Sequence, residues 1–428
     1  MLNILLILLG KLLSKISKTL NLGAGSTWPG HIALKVNKHF IKQTIVDKTK
    51  VVLVAGTNGK TTTSTLITKI LSEAGFNVSH NKSGSNQLNG IASAIISGIK
   101  PLSSKIDSEY LVIEVDENVL PLALKELTSN YIICLNLFRD QLDRYGEIDS
   151  IVKKWKSCFE SLSKQTTLVL NADDPQISFL GDKLRSKVLY FGLNEKIQKE
   201  IEHGADSTYC PNCLHDLNYE SVTFSHLGDW KCLNCGLKRP TPSLSSLKFY
   251  PLLGTYNKYN SLAAVLFART QKIAEQSINN ALKDFKPAFG RQEEFEVDGK
   301  RVKIFLSKNP TSFNQSLLTT SDLNAKNLLI VLNDRYVDGI DVSWIWDVNF
   351  EKLLNKSMNI FLSGNRVYDL ALRLHYSSIL KNLRIDEDLS QCINTSLRQT
   401  SIGQTLYILP TYSAMLDVRK ILKGRKIL

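Results

Sequence analysis

Long apolar runs are missing from this 428-residue chain. The one candidate, Met1-Leu-Asn-Ile-Leu-Leu-Ile-Leu-Leu9, falls well short of the roughly 20 residues that span a bilayer. It also lacks a basic residue ahead of its apolar part and a clear small-residue cleavage site, which disfavours a secretory signal. Leu12, Leu13, Ile16 and Leu20 continue the apolar period, with Lys11, Lys15 and Lys18 between them. Such an amphipathic helix either packs on the protein or rests on a membrane surface. Acidic residues are outnumbered: 40 Asp and Glu against 53 Lys and Arg leave a net charge of +13. That balance favours anionic partners (nucleotides, phospholipid surfaces or nucleic acid), although a solvated basic surface accounts for it equally well. Cysteine is scarce and odd in number, and four of the seven fall into two C-x-x-C pairs, which argues for metal in a reducing compartment rather than disulfides. There is no internal repeat and no low-complexity segment. The length exceeds one compact core, so two or three domains are expected.

What is present is concentrated at Val51-Val-Leu-Val-Ala-Gly-Thr-Asn-Gly-Lys60-Thr-Thr-Thr63. A β-branched apolar run stops at Gly56, and a helical pattern follows from Thr62 to about Ala74. Strand, glycine loop and helix N-terminus in series form a phosphate cradle. Gly56 and Gly59 let the N–H groups of Thr57, Asn58 and Thr62 approach phosphate oxygens without a Cβ in the way. Lys60 can reach the outer phosphates, and the Thr61 hydroxyl is placed for Mg²⁺. A standard P-loop has glycine five residues before the second loop glycine, where Val54 stands here.

Strands are expected at Val51–Ala55, Tyr110–Val115, Tyr131–Asn136 and Thr167–Asn171, with helices near Thr62–Ala74 and Ile148–Leu162. This rhythm belongs to a mostly parallel sheet covered on both faces. Residues from about Asp206 to Pro242 break it and read as an insertion. The rhythm resumes with a helix at Tyr256–Thr270, and later with strands at Val302–Leu306, Asn327–Leu332, Asn359–Leu362 and Thr405–Leu409. The expected division is an amphipathic segment over 1–45, an ATP-binding domain over 46–295 with the insertion at about 206–242, and a C-terminal α/β domain over 296–428.

Cys210-Pro-Asn-Cys213 and Cys232-Leu-Asn-Cys235 have the spacing of a zinc ribbon, in which four thiolates close a tetrahedral Zn²⁺ shell. A full shell makes the metal structural. His203, His215 and His226 are then expected at the surface, and Cys134, Cys158 and Cys392 as ordinary buried thiols. Glu114 ends an expected strand, followed by Asp116 and Glu117; a carboxylate there beside a phosphate loop is suited to a metal that bridges ATP and its acceptor. After the next strand comes Asn136-Leu-Phe-Arg-Asp140-Gln141-Leu-Asp143-Arg144-Tyr-Gly146. The segment Asn333-Asp334 through Asp338-Gly-Ile-Asp341-Val-Ser-Trp344-Ile-Trp346-Asp347 is ambiguous by itself between a site and a turn with a buried Trp pair.

Together these motifs resemble the Mur ligase superfamily, and within it the MurT family, the ligase subunits of lipid II isoglutaminyl synthase. The resemblance rests on Gly56–Thr61, Glu114, the Asn136–Gly146 segment, the four cysteines, Asn171-Ala-Asp-Asp-Pro175, Gly254-Thr-Tyr-Asn257-Lys-Tyr-Asn260 and Gly290-Arg291-Gln-Glu293. It implies a Mur ligase-like P-loop domain with an inserted four-cysteine zinc ribbon, then a Rossmann-like C-terminal α/β domain. It further implies ATP, Mg²⁺ on Thr61 and Glu114, adenine contacts from Asn257 or Asn260, and phosphate contact from Arg291. Gln141 stands where most Mur ligases carry a metal-binding histidine. The carbamylated lysine of those enzymes has no clear counterpart, with Lys154, Trp155 and Lys156 nearest. Lys308-Asn-Pro310 replaces a longer amino-acid-binding motif, consistent with ammonia as nucleophile. The resemblance makes Asp341 the residue that orients a histidine of a partner glutaminase (GatD-like), with Lys60 and Glu114 catalytic in this chain. The expected partners are that glutaminase in a heterodimer and lipid II, with peripheral membrane contact open and no nucleic acid. A Mur-like amino-acid or folate ligase is the nearer alternative; a zinc-ribbon P-loop ATPase acting on nucleic acid is the remote one.

Overall fold

The computed structural model describes residues 1–19, 27–81, 86–140, 148–195, 205–287, 290–354, 357–377 and 383–423. Gln141, Asp143 and His203 lie outside them.

Two six-stranded sheets organise the chain. The first comprises β1 (Lys50–Ala55), β2 (Val78–His80), β3 (Tyr110–Val115), β4 (Tyr131–Cys134), β5 (Thr167–Asn171) and β6 (Lys187–Phe191), in the order β2-β3-β1-β4-β5-β6. Every pairing in it is parallel. β1 is a continuous apolar run because both its faces are covered: Val51, Leu53 and Ala55 enter one core, Val52 and Val54 the other. The second core is closed by the helix Lys60–Glu73, through Leu66, Ile67 and Ile70, and by the helix Thr255–Thr270, whose middle is buried nearly all round. On the opposite face, Leu88–Gly98 and Ile148–Glu160 contribute Ile91, Ile95, Ile151 and Trp155. The parallel order leaves the loops after β1, β3 and β4 side by side at the strand C-termini, where ligands of such sheets bind.

Between β6 and the helix Thr255–Thr270 stands an antiparallel hairpin, β7 (Leu217–Phe224) and β8 (Leu227–Cys232). The hairpin is pinned to the sheet: the Trp230 indole donates to the Ala172 carbonyl at 3.1 Å, and the Gly228 N–H to the Asp173 carbonyl at 3.0 Å. The surface position expected for His226 is wrong. His226 is fully buried, its ring 4.8 Å from that of Phe138 and its Nε2 3.4 Å from Asp174. The tip of the hairpin turns inward rather than to solvent, so a polar residue in that turn is enclosed. His215 is exposed, Cys134 and Cys392 are buried, and Cys158 is half-buried.

The second sheet contains β9 (Arg291–Val297), β10 (Lys300–Phe305), β11 (Asn327–Val331), β12 (Asn359–Ser363), β13 (Leu383–Ile385) and β14 (Thr405–Pro410), in the order β13-β12-β11-β14-β10-β9. Only β9 runs antiparallel, to β10. A division of the chain at 295/296 would cut through β9; one ahead of Arg291 would keep the sheet whole. The segment left open between a site and a turn with a buried Trp pair holds no such pair: Trp344 is half-buried, but Trp346 is 47% exposed and lies against Arg373 and Tyr376.

Candidate active site

A cavity of about 360 Å³ opens where the first sheet's strand ends meet the second sheet's domain. Its floor is the phosphate loop. Gly59 has φ +90°, and a Cβ there would come within 2.0 Å of the Asn260 side-chain oxygen. A glycine is therefore required twice over, by conformation and by space. Gly56, at φ +137°, faces the Asn136 backbone in the same way. The loop is held by cross-strand bonds: Thr57 N–H to the Asn136 carbonyl at 2.9 Å, Asn58 N–H to the Asn136 side chain at 2.8 Å, and Phe138 N–H to the Thr57 hydroxyl at 3.0 Å. Thr62 lines the cavity from the first turn of the helix Lys60–Glu73.

Lys60 is 7% exposed. Its ammonium donates to the carbonyls of Gly56 (2.5 Å) and Thr57 (3.1 Å) and to the Glu117 carboxylate at 3.2 Å. Burial pulls its pKa down, but Glu117, Asp116, Glu114 and Asp140 together outweigh that and hold it above the ordinary lysine value. Burial pushes Glu117 the other way, yet Lys60 and Lys308 keep its carboxyl below the usual range. The Thr61 hydroxyl donates to Glu114 at 2.8 Å, and Asn81 fixes Glu114 from behind, accepting its N–H at 2.7 Å and donating to its carbonyl at 2.8 Å. A hydroxyl beside a carboxylate is the donor set a hard divalent cation takes. Lys60, Thr61, Glu114 and Glu117 are thus brought together. The pairing of Lys60 with Glu117 escapes sequence reasoning, because only the parallel register sets β3's end against the loop.

The far wall comes from elsewhere in the chain. Asn257 and Asn260 bond to each other at 3.1 Å, Asn257 donates to the Leu253 carbonyl at 2.7 Å, and both line the cavity with Arg291. Phe224 and Leu227, at the hairpin tip, join Phe138 and Tyr259 as an apolar wall; Phe138 stacks on Phe224 at 6.1 Å and Tyr259 meets it edge-on at 5.8 Å. Asp173 and Asp174 point into the protein. Asp173 accepts from Tyr259, Arg239 and Leu193, with burial lifting its pKa to about 6, while Asp174 caps the helix Pro175–Leu180.

The C-terminal domain closes the site through Lys308, whose ammonium is paired with Asp140, and Asn309, whose side-chain amide exchanges two long hydrogen bonds, of 3.3 and 3.5 Å, with that of Asn58. Asn309 also caps the helix Pro310–Asp322, which fixes its direction. Arg139, the neighbour of Asp140, pairs with Asp206 and reaches Asp347 of the C-terminal domain at 3.6 Å. Burial raises the pKa of Asp140, opposed by Lys308, and its second oxygen is buried without a partner. Lys308→Met should therefore destabilise the chain by about 2 kcal/mol in urea unfolding, since it strands a buried carboxylate. Adding Asp140→Asn should recover most of the loss.

Four sequence candidates lie elsewhere. Asp341 is exposed, accepting from the Ser343 N–H (2.8 Å) and hydroxyl (2.9 Å). The loop leading to it does touch the cavity, through Tyr336 and Val337. Lys154 is exposed, and the Lys156 ammonium binds the carbonyls of Phe179, Leu180 and Asp182, so neither reaches the carboxylates. Trp155 is buried and donates to the Glu117 carbonyl at 2.8 Å, steadying that loop.

The four cysteine sulfurs lie within 4.8 Å of one another, with Cys210–Cys235 at 3.6 Å and Cys213–Cys232 at 3.5 Å. Four thiolates around one tetrahedral ion would sit about 3.8 Å apart, given bonds of ~2.3 Å. The His215 backbone, first, and the Asn234 side chain hold the Cys213 thiol down at about 6.

Residues 54–268 match the Mur ligase middle domain, and residues 306–415 the MurT ligase C-terminal domain. The MurT subunit of the glutamine-hydrolyzing lipid II isoglutaminyl synthase of Staphylococcus aureus is 35% identical over 95% of this chain and 94% of its own length. The chain belongs to the MurT family. The corresponding MurT subunit of Streptococcus pneumoniae is 33% identical over the same shares. At fold level, this MurT chain superposes on a pseudomurein peptide ligase type C from Methanothermus fervidus (TM-score 0.65, 23% identity, 89% of this chain and 79% of that one). It also superposes on the MurF ligase from Thermotoga maritima, a structure in complex with ADP (TM-score 0.61, 15% identity, 92% and 83%). The expected Mur ligase-like α/β fold is thereby shown.

Proposed function

We propose that this chain is the ATP-dependent ligase subunit that amidates the α-carboxyl of D-glutamate in the lipid II stem peptide to D-isoglutamine. The observation that carries this is the full-length MurT similarity, joined to a phosphate loop whose lysine and carboxylates converge on one cavity. In this reading the substrate carboxylate takes the γ-phosphoryl group of ATP, releasing ADP. Ammonia then attacks the acyl carbon, a proton is lost, and phosphate leaves. Lys60 would hold the outer phosphates, Asn257 and Asn260 the adenine side, and Arg291 a phosphate oxygen. Thr61 and Glu114 would hold the Mg²⁺, which supplies charge neutralisation during phosphoryl transfer, the main catalytic lever in such reactions. The cysteine cluster fits a structural Zn²⁺. Lys308 and Asn309 are occupied in joining the two domains, which supports the absence of an amino-acid pocket there and so ammonia as the nucleophile.

The ammonia would come from a glutaminase subunit docked near Asp341, whose carboxylate would fix the tautomer of the partner's histidine. The apolar surface beside it, Tyr336, Val337, Ile340 and Trp346, suits a protein partner. The work would take place in the cytoplasm, where ATP is available, on a lipid-linked acceptor. The decisive experiment mixes the chain with its glutaminase, ATP, Mg²⁺, glutamine and lipid II, and reads the stem peptide by mass spectrometry. Amide formation dependent on both proteins and on ATP is expected; ATP hydrolysis with a different acceptor and no amide would refute the assignment. Asp341→Asn should cut glutamine-driven amidation by about 10³-fold or more while leaving amidation from added ammonium within about twofold, the signature of a residue serving the partner's triad.

A further inference from the structure

At about 100° per residue, the helix Leu2–Thr19 presents three unlike sectors. One faces the body: Leu6 and Ile7 are buried, and Gly10 lets the helix cross Ile96 and Pro29, which a Cβ would meet at 3.1 and 3.2 Å. A second holds Leu2, Leu5, Leu9, Leu12 and Ile16 at alternating intervals of three and four residues, all 42–66% exposed. The third carries Lys15, which is exposed, and Lys11, which reaches the Ile99 carbonyl. Packing on the protein thus accounts for only one of the helix's two apolar faces. Single exposed apolar residues are ordinary, but five in one continuous stripe are not. Charge points the same way: the first 46 residues contain six lysines and no Asp or Glu.

We infer that this stripe docks on an anionic membrane surface, with the helix lying parallel to it, leucines in the acyl boundary and lysines among the headgroups. A helix packed to the body on one side cannot span, but an apolar arc bordered by lysines is the form that lies in an interface. An acid-free basic segment adds attraction to anionic headgroups, an attraction that salt screens. The choice of lipid over a second protein rests on the lipid-linked acceptor proposed above; the helix would hold the cavity near that acceptor.

The test is co-sedimentation of the full chain with vesicles of phosphatidylcholine, with and without phosphatidylglycerol, beside the variant L5E/L9E/L12E. None of those side chains is buried, so nucleotide binding should be unchanged and serves as the folding control. The wild-type chain should bind the anionic vesicles, more weakly at high salt, and the triple variant about a hundredfold less. The variant should also amidate a lipid-free muramyl peptide normally but vesicle-embedded lipid II slowly. No vesicle binding by the wild-type chain, or equal binding by the variant, overturns the proposal, as does self-association through the stripe in sedimentation. If vesicles bind but no muramyl acceptor is amidated, the docking surface stands and the functional reading falls.

Discussion

Lys60→Ala is expected to abolish ATP-dependent amidation, with a loss of at least about 10³-fold in kcat, while the chain remains folded. The ammonium sits behind the loop carbonyls of Gly56 and Thr57 with Glu117 as its counter-ion, and the side chain is almost wholly buried. A charge so placed acts on the departing phosphoryl group in a low effective dielectric, and removal of one such cation from phosphoryl-transfer sites costs about 10³–10⁵. Alanine also leaves Glu117 buried without its main cation, so the variant should lose about 1–3 kcal/mol of stability, not its fold. Arginine is no rescue, because a planar guanidinium cannot enter the space between two backbone carbonyls. The measurement is single-turnover ADP formation with calorimetric nucleotide binding. Weakened binding with unchanged turnover at saturation would mean that Lys60 only positions ATP; a variant as active as the wild type would remove the ATP-site assignment.

Much of this architecture was legible because the informative strands are central. β3 and β5 appear with the bounds read from the sequence, and β1 differs by one residue, since a parallel strand covered on both faces is an uninterrupted apolar run. The edge strands were missed for the converse reason. β2 and β13 are three residues each, partly exposed, and carry no period to detect. In the site, Gly56, Gly59, Lys60 and Glu114 announce themselves through local motifs. Partnerships between distant segments do not: Lys308 with Asp140 and Asn309 with Asn58 are set by how two sheets pack. His226 shows how a local motif can mislead about its neighbourhood. The cysteine motif says nothing of where the rest of its insertion packs, and the hairpin tip is built into the cavity wall.

That tip makes metal removal the second large effect. β7 and β8 run from the cysteine cluster, at Cys232, to Phe224 and Leu227 on the cavity wall, so one rigid hairpin connects the two. A hairpin this short is marginal in water and needs an anchor at each end. The inner end has Gly228 bonded to the Asp173 carbonyl; the outer end has the four thiols and a small core of Leu217 and Trp230, whose indole also donates to the Ala172 carbonyl. A structural Zn²⁺ held here, as proposed above, would contribute folding energy directly, so unloading it should loosen the outer half and let Phe224 leave Phe138 and Tyr259. Cys232→Ser, or treatment with a strong chelator, should remove about one bound zinc per chain by elemental analysis and red-shift the tryptophan emission as Trp230 becomes wet. ATP affinity should then fall about tenfold, the scale of losing one aromatic wall. Phe224→Ala separates the causes: it should weaken ATP similarly while the metal stays bound. If the chelated chain keeps full ATP affinity while its zinc is gone, the hairpin holds its wall without the metal, and the cluster serves some other surface.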